Sequence, residues 1–211
     1  MPRSKRLSEQ MRTEGRARIL SAARHLFART GFDRCTVAEI ARAAGMSQGN
    51  IYWHFRSKEE ILKAVLTAAF EALGELLDRA RAADGSGRDR LLLVVDGYLS
   101  LGHTLGGAEA TVILYGLLRG NPGRLTELGF DAPRLFGGWV AGLGAILRDA
   151  QAEGVLPAGE DPDTLAVHFF GYFNGMTVTL GNGGGTVPDD ELRRAVLRLL
   201  GFDDRHPKEP R

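Results

Sequence analysis

Several features that would assign this chain to common classes of protein are missing from its sequence. Its 211 residues include one cysteine, Cys35, so an intrachain disulfide and a disulfide-rich secreted scaffold are excluded. No run of about 18 apolar residues occurs, so no transmembrane helix is predicted. The first residues, MPRSKRLSEQMR, are charged and lead into no apolar stretch. They predict a cytoplasmic protein without a signal peptide and without a membrane partner.

Residue groups that would hold a metal or perform catalysis are also missing. His103 and His168 are far apart in sequence and have neither a second ligand at helical spacing nor a Cys-x-x-Cys pair nearby, so no metal site is predicted. No Ser, His and Asp occur in a recognisable catalytic context. The segment GNGGG at 181–185 lacks the spacing of a dinucleotide site and is predicted to be a flexible loop. The sequence therefore predicts neither an enzyme nor a cofactor, and Cys35 is expected to be a small buried residue rather than a redox sensor.

Charge is distributed unevenly along the chain. The formal net charge is +1, but residues 1–60 hold 12 Lys and Arg against 6 Asp and Glu. The remaining residues hold 15 basic and 20 acidic side chains. A basic N-terminal part on an acidic body indicates contact with a polyanion, and nucleic acid is the first candidate. A solvated surface of uneven charge is the alternative.

The spacing of apolar residues and of helix-capping residues predicts an all-α fold, because no alternating strand of useful length appears. Residues 1–12 are expected to be a flexible basic arm. A helix is expected from about Glu14 to the glycine at position 31, which suits a left-handed C-terminal cap. Two short helices should follow Thr36 and Ser47. Longer helices are expected near residues 58–83, 88–105, 108–119, 133–153, 162–180 and 189–200.

The two short helices form a predicted helix-turn-helix between residues 36 and 55, with its turn at Ala44-Gly45-Met46. Thr36 and Glu39 have the spacing of a capping box. Ile51 and Phe55 are four residues apart and so share one face of the second helix, where they should pack on Ile40 and Leu26 of the preceding helices. The opposite face is then left to enter the major groove of DNA.

The side chains around this outward face suit contact with DNA. Gln and Asn can bond adenine N6 and N7 in bidentate fashion, and a glycine lets the backbone come close. Tyr and His can donate to phosphates, helix N-termini favour phosphate, and a lysine opening the next helix can reach the DNA backbone. Packing of Trp53 in the core, partial burial of Tyr52, plain solvation of His54 and a purely capping Thr36 are the alternatives. The candidate DNA-contacting residues are Thr36, Ser47, Gln48, Gly49, Asn50, Tyr52, Trp53, His54 and Lys58.

Residues 13–73 resemble the DNA-binding domain of the TetR family of bacterial transcriptional repressors. The resemblance is carried by AA and LF in the first helix and by spaced identities across the next two helices. The matching positions are Gly31-Phe32, Thr36-Val37, Ile40-Ala41, Ala44-Gly45, Ser47, Gly49, Ile51-Tyr52-Trp53-His54-Phe55 and Ser57-Lys58-Glu59. The resemblance implies a homodimer on palindromic double-stranded operator DNA, and the DNA-contacting positions of the family match the candidates above. It also implies that residues 74–211 form a helical domain that binds a small inducer and dimerises.

The family's inducer pocket lies among the middle helices of that domain, which here carry aromatic side chains and a few polar ones. Such a set suits a small hydrophobic or aromatic inducer, although ordinary core packing is the alternative. The candidate lining residues are Tyr98, His103, Tyr115, Phe136, Trp139, Phe169, Phe173 and Asn174.

The last two helices are the candidates for dimerisation, since small residues on the first and an apolar stripe on the second would suit a four-helix bundle between two chains. The candidate interface residues are Gly171, Gly175, Leu192, Val196 and Leu199. The sequence as a whole predicts a ligand-released repressor. The alternative is a small helical binding protein or enzyme whose basic N-terminal part binds another partner.

Overall fold

The computed structural model describes residues 2–104, 106–181 and 187–202, and within these ranges it contains ten α-helices and no strand. The all-α prediction is confirmed. The helices are α1 (Pro2–Thr30), α2 (Val37–Ala44), α3 (Gln48–His54), α4 (Lys58–Ala82), α5 (Gly87–Thr104), α6 (Gly107–Gly120), α7 (Arg124–Glu127), α8 (Ala132–Ala152), α9 (Pro162–Gly181) and α10 (Asp189–Leu199).

Two parts of the helix prediction need correction. Residues 2–12 are not a loose arm but the first turns of α1. No glycine or further proline interrupts residues 3–14, and the Gln10 amide donates to the Glu14 carboxylate at 3.0 Å, a spacing that supports an exposed helix. The short helix α7 was not predicted, because four residues carry no periodic signal. Of the predicted GNGGG loop, residues 182–185 lie outside the described residues, while Gly181 is the last residue of α9.

The chain divides into two compact units. The first unit comprises Met1–Phe70 and Glu109–Gly129, and the second comprises Glu71–Ala108 and Phe130–Arg211. This division differs from a single boundary after residue 73, because most of α6 and all of α7 group with the N-terminal helices. One tie within the first unit is an ion-pair cluster in which the Glu109 carboxylate lies 2.7 Å from Arg24 Nε and 3.0 Å from His25 Nδ1.

The core of the first unit is built from the apolar faces of its helices. α1 contributes Ile19, Ala23 and Phe27, all buried, whereas Leu26 is only half-buried. The chain reverses after α1 and after α2 at glycines with positive φ, 84° at Gly31 and 65° at Gly45, conformations that glycine adopts without a steric penalty. The remaining core side chains of this unit come mainly from Ile40, Ala41, Ile51, Phe55, Ile61, Leu62, Val65 and Leu66.

The core of the second unit lies among α5, α8, α9 and α10, together with the part of α4 that belongs to this unit. Its buried side chains include Leu143 and Leu147 of α8, Phe169 and Phe173 of α9, and Val196 of α10. Among the described residues no single helix is long and apolar enough to cross a membrane. The pair Gly87–His103 and Gly107–Gly120, bent by 79°, meets that length and composition only when taken together.

Candidate nucleic-acid interface

The start of α2 shows the capping box that the sequence predicts. The Thr36 hydroxyl accepts a hydrogen bond from the Glu39 N–H at 3.3 Å, and the Glu39 carboxylate accepts one from the Thr36 N–H at 2.8 Å. These hydrogen bonds from Thr36 hold the pKa of the Glu39 carboxyl below its usual value. The turn that follows α2 is closed by Gly45, whose N–H donates to the Ala41 and Arg42 carbonyls.

The orientation of α3 follows from its two apolar side chains. Ile51 and Phe55 are each 1% exposed, so the face predicted to be buried is buried. Trp53, in contrast, is 67% exposed, and packing of this side chain in the core is ruled out. Exposed with it on the outer side of the helix-turn-helix are Gln48, Gly49, Asn50 and Tyr52.

The first turn of α3 offers donors to an anion. The Ser47 hydroxyl accepts from the Asn50 N–H at 3.2 Å, which leaves the hydroxyl proton available to a phosphate oxygen. Thr36 differs at the matching position of α2, because its hydroxyl and its N–H both donate to the Glu39 carboxylate, each at 2.8 Å. A phosphate that binds Thr36 has to displace that carboxylate. In the structure Thr36 therefore acts as the N-cap of α2.

Lys58 does not extend toward solvent as the prediction of a phosphate contact requires. Its ammonium donates to the carbonyls of Phe32 and Cys35 at 2.8 Å each and to that of Asp33 at 3.3 Å. It also lies 4.3 Å from the centroid of the Phe32 ring. The three protons of the ammonium match these three acceptors, so Lys58 ties the loop between α1 and α2 to the start of α4.

Helix α1 supplies contacts to α3 that the sequence analysis missed. The Arg12 guanidinium lies 5.7 Å from the centroid of the Trp53 ring. A Cβ atom at Gly15 would lie 2.8 Å from His54 Nε2, so any larger residue here requires the His54 imidazole to shift. The Arg16 guanidinium lies 4.3 Å from the centroid of the Phe55 ring. In the sequence, these three contacts are marked only by the spacing Arg-x-x-Gly-Arg within an amphipathic helix.

A further arginine of α1 joins the turn of the helix-turn-helix. Arg18 Nη2 donates to the Ala44 carbonyl at 2.5 Å and to the Gly45 carbonyl at 3.3 Å. A cation at the C-terminus of α2 also compensates the negative end of the helix dipole. The turn is therefore held from α1 as well as by its own backbone.

His54 is half-buried, with its ring edge-to-face against Trp53 at 4.6 Å between centroids. Burial is the largest cause that lowers the pKa of this imidazole, and the charges of Arg12 and Arg16 lower it further. The neutral form is thereby favoured, and a neutral imidazole carries one donor and one acceptor. His54 is thus part of the packing of α3 on α1, and it is not a plainly solvated residue.

In the second unit, four of the predicted pocket residues come together. The Tyr98 hydroxyl donates to Asn174 Oδ1 at 3.0 Å. The Tyr98 ring centroid lies 5.5 Å from that of Phe169 and 4.9 Å from that of Phe173. Both phenylalanines are buried, while Tyr98 and Asn174 are half-buried. This cluster, Tyr98, Phe169, Phe173 and Asn174, is a polar pair set among aromatic rings.

The other predicted pocket residues lie elsewhere. Phe136 and Trp139 form a half-buried pair on α8 with centroids 5.3 Å apart. The His103 side chain is exposed and its Nε2 lies within hydrogen-bonding distance of Asp189 Oδ1, at 2.9 Å, so its assignment to the pocket is corrected to a surface contact. Tyr115 belongs to the part of α6 that groups with the first unit, and it is exposed.

The predicted dimer interface is exposed in part. Gly171 and Gly175 lie on an exposed face of α9, and a Cβ atom at either would meet nothing within 4 Å. Leu199 is 47% exposed and Leu192 is half-buried. Val196 is 0% exposed within its own unit, which corrects its assignment to the interface. The amphipathic face of α10 is rotated from the expected stripe, so that Val196, Leu197 and Leu200 enter the core.

Comparison with known proteins agrees with this geometry. Residues 19–65 match the family described as bacterial regulatory proteins, tetR family. The chain is 37% identical over 79 residues to the HTH-type transcriptional regulator TtgR of Pseudomonas putida, covering 37% of this chain and 38% of that protein. It is 35% identical over 74 residues to the HTH-type transcriptional repressor Rv1474c of Mycobacterium tuberculosis, covering 35% and 40%. The matches thus span well under half the length of these curated relatives.

Solved structures show the same fold over most of the chain. The TetR family transcriptional regulator PfmR of Thermus thermophilus has a TM-score of 0.70 at 22% identity, covering 89% of this chain and 99% of that one. A transcriptional regulator of Saccharomonospora viridis, solved in complex with choline, has a TM-score of 0.70 at 23% identity, covering 90% and 96%. At this level of identity the likeness concerns the fold alone.

Proposed function

We propose, from the match of residues 19–65 to the tetR family of bacterial regulatory proteins, that the chain is a transcriptional regulator of this family that represses by binding a palindromic operator as a homodimer. The observation that carries the proposal is α3, which buries Ile51 and Phe55 and leaves Gln48, Asn50 and Trp53 exposed beside basic α1 side chains. A short helix held in this way is already ordered before DNA binds, and its exposed hydrogen-bonding groups can face base edges. A regulator of this kind acts on DNA, and we place it in the cytoplasm.

The homodimer is supported by the exposed outer face of α9. Glycines at 171 and 175 leave a helix surface that another helix can approach closely, and the exposed Val167 lies one turn before Gly171. Leu199 adds an exposed apolar side chain on α10. Two copies joined through α9 and α10 would form a four-helix bundle. A dimer can then place two α3 helices about 34–36 Å apart, one turn of DNA.

The inducer site is supported by the cluster of Tyr98, Phe169, Phe173 and Asn174. Apolar walls with a few polar groups are typical of sites for small molecules, and Tyr98 and Asn174 would orient a hydrophobic or aromatic ligand. Binding of the inducer releases the operator if the ligand prefers a state of the dimer in which the two α3 helices have another spacing. Release requires that the inducer bind the DNA-free form more tightly by the same factor by which it weakens operator binding.

Selection from a random pool of DNA duplexes tests the proposal. The full chain should enrich palindromic sequences, and its affinity should fall steeply with salt. If about 6–10 phosphates are contacted per dimer, the affinity falls by about 10³–10⁵ between about 50 and 200 mM salt. Gln48→Ala and Asn50→Ala should each relax the preference at particular base pairs. A chain that enriches no duplex would overturn the proposal in favour of a non-nucleic-acid partner for the basic N-terminal part. A chain that binds a duplex without salt dependence would refute the proposed contacts with phosphates.

A further inference from the structure

Three residues on one face of α1, Arg12, Gly15 and Arg16, lie against the end of α3. Three consecutive residues at the end of α3 each lie against one residue of α1. Arg12 lies over Trp53, Gly15 lies against His54, and Arg16 lies over Phe55. The last two contacts concern side chains that are buried or half-buried, whereas the first concerns an indole that is mostly exposed. The contact with Arg12 therefore does not serve to bury Trp53.

We propose that Arg12 is a positioning residue that fixes the orientation of the Trp53 indole and thereby shapes the sequence preference of α3. The proposal rests on the proposed function as a DNA-binding regulator. It assigns a role in DNA recognition to a residue outside the helix-turn-helix, on the helix that precedes it. In this role Arg12 does more than a basic residue that only neutralises a phosphate.

An exposed tryptophan on a helix surface has several side-chain rotamers open to it. Here the His54 ring stands edge-on against one side of the indole at 4.6 Å, and it is itself held against Gly15. The Arg12 guanidinium, at 5.7 Å from the indole centroid, supplies the other restraint. A cation–π contact at an exposed site shifts a rotamer population by about two- to fivefold. Together the two contacts favour one orientation of the indole before DNA arrives.

The chemistry of arginine suits this role better than that of lysine. A guanidinium is flat and stacks on an aromatic face, while an ammonium is a compact and strongly hydrated charge. Lysine at position 12 would keep the charge available to DNA but would restrain the indole less. The substitution Arg12→Lys therefore separates the positioning role from the electrostatic one.

Arg16 provides a matched control. It lies four residues after Arg12 on the same helix and also stacks on an aromatic ring of α3. Its partner Phe55 is 1% exposed and cannot reach a base. Arg16→Ala removes one positive charge beside α3 without releasing an exposed side chain. It should weaken binding to all sequences alike and lower the salt slope by about one.

The experiment has two arms. In the free protein, Trp139→Phe leaves Trp53 as the only tryptophan, and acrylamide quenching and the anisotropy of its emission report on its freedom. Arg12→Ala and Arg12→Lys should both raise quenching and lower anisotropy, and Arg16→Ala should change neither. In the DNA arm, the base preferences of each variant are read from a random duplex pool. Arg12→Ala should flatten the preference about two- to fivefold at a subset of base pairs, matching the lost rotamer bias, and Arg12→Lys should flatten the same subset with the salt slope retained.

A double variant closes the test. If Arg12 acts through Trp53, Arg12→Ala adds no change in base preference to a Trp53→Ala protein, which has no ring for the guanidinium to contact, although it still lowers the salt slope. The proposal is overturned if Arg12→Ala weakens all sequences alike with unchanged Trp53 quenching, because Arg12 is then a phosphate contact only. It is also overturned if the unchanged chain selects a sequence but Trp53→Ala leaves that preference intact. If the unchanged chain selects no sequence at all, the proposed function itself fails, and this role for Arg12 fails with it.

Discussion

Replacing Gly15 by alanine is the sharpest test of how α3 is held. The added Cβ would lie 2.8 Å from His54 Nε2, 3.1 Å from His54 Cε1 and 3.5 Å from Met46 Cε. Carbon atoms in contact prefer separations of about 3.5–4.0 Å, so the imidazole has to move by more than half of an ångström, on the order of 0.7 Å. Because the His54 ring is stacked edge-on against Trp53, its movement is transmitted to the exposed indole.

Two opposing effects set the size of the change in stability. Alanine in place of glycine within a helix stabilises the fold by about 1 kcal/mol. Overpacking a well-filled site destabilises it by about 1–3 kcal/mol. The net loss in the free energy of unfolding is therefore about 0–2 kcal/mol, and a chain of this size would lose about 2–4 °C in Tm for each kcal/mol. If the displaced indole of Trp53 contacts a base, its displacement costs about 1–3 kcal/mol of binding free energy. The affinity for DNA should then fall about 5- to 150-fold for each protomer.

The assay compares thermal unfolding and duplex binding for Gly15→Ala and a matched variant, Gly74→Ala. Gly74 lies inside α4, and a Cβ atom there would meet nothing within 4 Å. Gly74→Ala should stabilise the protein by up to about 1 kcal/mol and leave DNA binding unchanged. If Gly15→Ala stabilises the protein as much as Gly74→Ala does and binds DNA normally, the packing of His54 on α1 is not what holds α3 in place.

Three further outcomes are expected. Thr36→Ala removes the cap of α2 and should lower the free energy of unfolding by about 1 kcal/mol in a urea titration, and an unchanged midpoint would contradict that role. Leu199→Asp should give a folded monomer by light scattering, while Val196→Asp should fail to fold, since burying an unpaired charge costs several kcal/mol; a folded Val196→Asp monomer would show that α10 is oriented differently. Because the pKa of His54 is lowered in the folded chain, His54 is protonated at a higher pH in the unfolded chain than in the folded one. The His54 contribution to stability is therefore complete above the usual histidine pKa of about 6.5 and is lost as the pH falls from there through the lower folded pKa. Urea titrations at several pH values should show a smaller acid-side loss for His54→Gln, and identical profiles for the two proteins would refute the shift.

Much of the first unit could be predicted because its signals are local. The Thr36 and Glu39 pair marks the start of α2 within four residues, and Gly45 marks its end. Ile51 and Phe55 determine which side of α3 faces outward, since they share one face and the helix is only seven residues long. Each of these inferences requires only the residues of one helix and its caps.

Other features depend on contacts between helices that are distant in sequence. Lys58 looks like a free cation until the loop carbonyls that it binds are placed next to it. Gly15 is marked locally only by the spacing Arg-x-x-Gly-Arg, and its importance comes from His54, which is distant in sequence. Val196 and Leu199 are both apolar residues of one amphipathic helix, and only the position of the neighbouring helices decides which of the two is buried. Spacing along one helix cannot supply that information.

The contacts of Glu109 with the α1 side chains Arg24 and His25 affect where the chain can be joined to another protein in a chimera. A natural or engineered chimera that exchanges everything after residue 73 would also exchange residues 109–129, although they group with the helices of the first unit. Arg24 and His25 would then lose Glu109 unless the foreign chain places a carboxylate at the same position. Crossovers that carry the recipient's own residues 109–129 along with its first 70 should preserve that contact. In this chain the first unit is discontinuous in sequence, and a single boundary at residue 73 would not separate the two units.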